Sequence, residues 1–151
     1  MKSLHHWLLF VTPEDLKNFK ERGDCIAQQF QAFELDGLHE NGKLVEGESI
    51  ADLGGITISY AAFEKTLAGK IAAPPIDGFT PEQRFFLGFA QVWAGSYRPE
   101  FARLMIKTNE HPLGQFRTNG PLSNMPAFAK AFGCSAGSSM VRSDSLRCRI
   151  W

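Results

Sequence analysis

Apolar positions along this chain recur mainly at three- and four-residue steps, the period of helices that turn one face inward. In "TPEDLKNFKERGDCIAQQFQAFE" (12–34), Leu16, Phe19, Ile26, Phe30 and Phe33 make one stripe. Thr12 suits an N-cap, Pro13 the first helical position, and Asp15 can complete a capping box, so a helix is predicted to open there. Gly23 weakens it locally without abolishing the pattern. After a turn at Asn41-Gly42, a second helix is predicted from about Glu48 to Leu67. A third opens at Thr80, with Pro81 and Gln83 behind it, and runs through "RFFLGFAQVWAGSY" to Tyr97; apolar nearly all round, it is expected to be buried. "RPEFARLMIKT" (98–108) reads as a fourth helix, 109–124 as a loop, and "MPAFAKAFG" (125–133) as a short fifth helix. The tail from Cys134 is irregular, and strand patterns are scarce. The expectation is a mainly α chain, one domain over 1–151, without repeats or polar linkers.

Sixteen basic and sixteen acidic residues leave no net charge, which favours neither nucleic acid nor a membrane surface as partner. No apolar run is long enough to span a bilayer, and "MKSLHHWLLFV" has no small-residue cleavage site, so a soluble, unprocessed chain is expected. His5 and His6 are adjacent, which cannot place both on one helix face as metal ligands, and they read as terminal surface residues. Thirteen Phe and three Trp against two Tyr point to a dry core or an apolar pocket. The three cysteines are too few and too far apart for a zinc ribbon; one bridge and a spare thiol are possible.

The chemistry begins with "GESIADLGGI" (47–56). Glu48 and Asp52 stand four residues apart, on one helix face, where like charges repel unless a cation or donor sits between them. They suit a metal ligand and a neighbour that orients another ligand, yet the spacing alone fits two solvated acids near a helix N-terminus as well. Gly54 and Gly55 cost the helix about 1 kcal/mol each and imply a closely packed neighbour. In the 109–124 segment, His111 and Arg117 are possible donors to an oxyanion or a substrate carbonyl. Val92 and Trp93 could line a specificity pocket, or simply pack in the core. There is no GxSxG, P-loop, dinucleotide fingerprint or HExxH in the sequence.

Taken in order, "NGKLVEGESIADLGGITISYAAF", "FTPEQRFFLGFAQVWAGSYRPEFA", "KTNEHPLGQFRTNGPLSNMPAFAKAFGC" and the final "CRIW" resemble the carboxy-terminal part of the neprilysin and endothelin-converting-enzyme family of zinc metalloendopeptidases. The resemblance covers about Trp7 to Trp151 and implies the carboxy-terminal helical part of a gluzincin-type metallopeptidase catalytic domain. It puts the third zinc ligand on Glu48 and the acid that orients a zinc-bound histidine on Asp52. His111 then donates to the tetrahedral oxyanion, Arg117 holds a substrate backbone carbonyl, and Val92 and Trp93 wall the pocket for a bulky apolar residue after the scissile bond.

Two departures stand out. Asn109 replaces the family's usual Asp two residues before the loop histidine, and a neutral amide supports an imidazolium less; "PLG" replaces "SPG" after it. The family pairing further implies a Cys25–Cys148 disulfide and a free Cys134, with Ala94 in place of another cysteine. Without HExxH, the chain alone is expected to bind zinc weakly and to have no peptidase activity, its partners being peptide substrates and the amino-terminal part of the enzyme. An exposed apolar face is expected to favour self-association, and relatives imply an extracytoplasmic setting. A free-standing, non-catalytic module that binds a peptide or partner is the alternative.

Overall fold

The structure is a computed structural model that describes residues 11–71 and 73–150, so His5 and His6 lie outside the described residues. Among the described residues, six helices follow in order: α1 (Pro13–Gln31), α2 (Glu46–Leu67), α3 (Pro81–Val92), α4 (Pro99–Thr108), α5 (Gly114–Ser123) and α6 (Pro126–Ala131). A two-residue hairpin, β1 (Glu34–Leu35) and β2 (Leu38–His39), separates α1 from α2. Its turn is Asp36-Gly37, both at positive φ, the dipeptide that suits a tight hairpin turn, and Asp77-Gly78 repeats the device before α3. The mainly α expectation therefore holds.

The helix starts follow local chemistry. Thr12 with Asp15, and Thr80 with Gln83, both form reciprocal capping boxes, and Pro occupies the first turn in each case. The ends follow tertiary chemistry. α3 stops at Val92, with Trp93 as its C-cap, rather than running to Tyr97, and Phe86 is its fully buried residue; the other apolar side chains are half-covered or, like Val92, exposed.

α2 and α5 pack against each other and α1 lies across α2, around Ile26, Phe30, Val45, Ile50, Leu53, Phe116 and Leu122. Gly23, which costs helix propensity, faces the first turn of α2: a Cβ there would meet the Glu46 side chain, 2.2 Å from Oε1. Aromatic rings carry the contact onward, with Tyr60 stacked on Phe86 at 4.9 Å and Phe86 edge-on to Phe128 at 5.6 Å, joining α2, α3 and α6. The predicted stripe on α1 is half used: Ile26 and Phe30 are buried, whereas Leu16 and Phe19 face outward. On α2, Gly54 is buried, whereas a Cβ at Gly55 would meet open space, so the close packing expected for the pair is not seen at Gly55.

The segment expected to be a loop contains α5. Its two glycines make the helix possible by permitting contact: a Cβ at Gly114 would lie 2.3 Å from the Trp93 carbonyl oxygen, and one at Gly120 would lie 2.6 Å from the Phe30 ring. A buried polar knot fixes its far end. Gln29 Nε2 donates to the Gly120 carbonyl at 2.9 Å, Asn124 Nδ2 donates to Gln29 Oε1 at 2.7 Å, and the Cys148 amide donates to Asn124 Oδ1 at 2.8 Å. Among the described residues the tail has no regular element, but it is tied down by these bonds, by Arg22 Nη1 donating to the Ile150 carbonyl at 2.6 Å, and by a disulfide. Cys25 and Cys148 are that pair, with Cα atoms 5.7 Å apart across 123 residues of sequence, and Cys134 is free. Closing so long a loop constrains the unfolded chain and contributes about 5 kcal/mol in the entropy model.

Candidate functional site

Glu48 lies on the first turn of α2 and Asp52 on the next, so the helix geometry sets them one above the other. α5 crosses beside them and brings Arg117 from its own first turn, where a helix dipole disfavours a cation. The two acids offset that cost. Arg117 Nε donates to Asp52 Oδ2 at 2.7 Å and Nη2 to Oδ1 at 2.8 Å, a two-pronged bond, while Nη2 also donates to Glu48 Oε2 at 3.0 Å. The Asp52 and Arg117 side chains are 8 % and 11 % exposed, against 37 % for Glu48. Burial by itself would pull the Arg117 guanidinium down, but hydrogen bonds and charge from Asp52, with Glu48, outweigh it and hold it above its ordinary value.

Behind Arg117 stands Trp93, whose ring centroid is 3.9 Å from the guanidinium carbon, a stacked cation–π contact. The Trp93 indole N–H is buried with no partner among the described residues. In front stands His111. Asn109 Oδ1 accepts from the His111 backbone N–H at 2.9 Å and lies 3.0 Å from its Nδ1, which fixes the ring and leaves Nε2 facing Glu48 Oε2 at 3.4 Å.

Trp93, Arg117, Asp52, Glu48 and His111 thus form one continuous row, although they are spread over four segments of the chain. The structure brings together five of the six residues singled out from the sequence. Val92, 70 % exposed, stands outside the row. The repulsion between Glu48 and Asp52 is relieved inside the chain by Arg117, a pairing that i, i+4 spacing did not reveal. Among the described residues, no three His, Cys, Asp or Glu side chains gather that could hold a metal ion. The site is also separate from a cavity of about 340 Å³ between α2, the start of α6 and the tail, lined by Leu53, Tyr60, Met125 and Ile150 among others.

One buried group nearby escaped the sequence reading. Glu40, in the turn that leads to α2, is 1 % exposed. Only its place just before the Asn41-Gly42 turn was visible in "HENGKL".

The family model for peptidase family M13 matches residues 3–148. The chain belongs to this family. It is 42 % identical over 139 residues to neprilysin-1 of Caenorhabditis elegans, covering 88 % of this chain and 18 % of that protein. Against human neprilysin it is 40 % identical over 145 residues, covering 93 % of this chain and 19 % of the relative. The Mycobacterium tuberculosis zinc metalloprotease ZMP1, solved with an inhibitor, superposes with a TM-score of 0.87 at 33 % identity over 93 % of this chain and 22 % of its own. The chain therefore spans under a fifth of the length of these curated relatives.

Proposed function

We propose that this M13 chain supplies one zinc ligand and the substrate-polarising groups of a zinc endopeptidase site that cleaves peptides on the amino side of bulky apolar residues. The observation that supports it best is the convergence of Glu48, Asp52, His111, Arg117 and Trp93 in one row. Glu48 fits a zinc ligand in donor type: a half-exposed carboxylate at a helix start, with Oε1 uncommitted among the described bonds. It is one donor of an incomplete set, and the imidazole ligands and general base would come from an HExxH segment that this sequence does not contain. Zinc, when bound, would polarise the scissile carbonyl and lower the pKa of its water.

The chain's own residues do the rest. Arg117 commits Nε and Nη2 to the acids, which leaves Nη1 for a substrate carbonyl. Asp52 and the Trp93 ring hold that guanidinium in one orientation, so little freedom is lost on binding. His111, held at its Nδ1 side by Asn109, presents Nε2 to the place where oxyanion charge develops. Val92 and Trp93 offer apolar surface to the residue after the scissile bond.

Alone, the chain is expected to bind zinc weakly and to cleave nothing; zinc-dependent cleavage of an apolar fluorogenic peptide by the purified chain overturns that expectation. In a gene product that includes HExxH, Glu48→Gln should lose stoichiometric zinc by elemental analysis, and retention of a full equivalent rules Glu48 out as a ligand. The exposed Leu16, Phe19, Ile58 and Val92 favour self-association of the chain alone, read by light scattering. The Cys25–Cys148 disulfide supports an oxidising, extracytoplasmic setting. Among the described residues, no helix is long and apolar enough to cross a membrane.

A further inference from the structure

Glu40 sits where the two site-bearing helices begin. Its backbone N–H donates to the Phe33 carbonyl at 2.9 Å, extending the hairpin, and the chain then turns through Asn41 into the start of α2. Its side chain faces the backbone N–H groups of Asn41 and of Leu113, the N-cap residue of α5, and neither carboxyl oxygen closes a hydrogen bond among the described residues. A carboxylate so enclosed has lost its water and gained almost nothing in return.

The charged groups on the surrounding elements are occupied elsewhere. On the hairpin, Glu34 lies 3.8 Å from His39, and Asp36 pairs with Arg103 of α4 at 2.9 Å. In the turn, Lys43 bonds Asp24 and Glu46. Beyond α4, whose Lys107 is exposed, Glu110 points to water, His111 turns to Asn109 and Glu48, and Arg117 is taken by Asp52. Among the described residues, none forms an ion pair with Glu40.

We propose that Glu40 is a pH-sensitive latch on the site: uncharged, it lets the turn before α2 and the start of α5 close over it; ionised, it loosens that joint and with it the grip of Arg117 on Asp52 and Glu48. Burial pushes the Glu40 carboxyl up from 4.5 to about 7, with the Asn41 and Leu113 N–H groups opposing only part of the effect. An acid raised in this way binds its proton more tightly in the folded chain. Its contribution to stability is full below about pH 4.5 and is lost as the pH rises through about 7. The site then tightens in mildly acidic surroundings and slackens in alkaline ones. The consequence for the site rests on the roles proposed for Arg117 and Glu48, but the titration of Glu40 does not.

The test is made on the purified chain without zinc or peptide, so it fails or succeeds independently of any peptidase activity. Carbon-13 NMR of the Glu40 carboxyl in the unaltered protein should show a midpoint near 7, and a midpoint near 4.5 overturns the proposal. Urea unfolding from pH 4.5 to 8 should show the unfolding constant rising on the order of a hundredfold more in the unaltered chain than in Glu40→Gln. The Arg117 Nε–H resonance should lose exchange protection over the same interval in the unaltered chain and keep it in Glu40→Gln. Equal behaviour of the two proteins in that resonance refutes the link to the site, even if Glu40→Gln proves less stable throughout.

Discussion

Asp52 and Glu40 are both carboxylates withdrawn from water, and they are kept there by opposite means. Asp52 meets a guanidinium face to face and shares it with Glu48, so its charge is matched where it stands. Glu40 meets two loosely placed amides and apolar surroundings, so its cheapest state is to carry no charge at all. The first arrangement fails when a partner is removed; the second fails when a proton is removed. The difference shows that burial alone says little about a carboxylate until its partner is known.

The most disruptive way to break the contrast is Arg117→Ala, which leaves Asp52 enclosed without its cation. Urea unfolding at pH 7 should show a loss of about 3–5 kcal/mol; a loss well below that means water already screens the pair. Glu40→Leu should act in the other direction. At pH 8 it should stabilise the chain by up to about 3 kcal/mol relative to its effect at pH 4.5, because the penalty of an ionised Glu40 is gone. A pH-independent effect removes the contrast with Asp52. Asp52→Asn keeps the shape and two acceptor contacts reduced to one, with Glu48 still engaging Arg117, and should cost about 1–2 kcal/mol. Last comes an exposed control. Lys43→Ala cuts the Asp24–Lys43–Glu46 bonds on the open face of α1 and α2, and the unfolding midpoint should not move measurably.

How far the sequence carries this picture depends on whether each feature is local. The starts of α1 and α3 were legible because a capping box needs only four consecutive residues. α5 was not, because Gly114, Gly120 and Pro121 argue against a helix locally, and only the Trp93 carbonyl and the Phe30 ring, far away in sequence, make the glycines favourable. Helical periodicity marked Leu16 and Phe19 as a face, but a period cannot supply the surface that face meets. The residues of the row were legible through the family resemblance. The pairing of Arg117 with both acids was not, because nothing in either stretch specifies how α5 lies on α2. Glu40 left no trace, since a polar residue in an Asn-Gly turn ordinarily faces water.

The bond between Cys25 and Cys148 has a topological meaning as well. It turns nearly the whole described chain into a ring, with α2 to α6 inside the closed circuit. A single proteolytic cut anywhere from the hairpin to the tail therefore opens the ring without releasing a piece. The nicked product would keep its original mass, apart from one added water, until a reductant separates its halves.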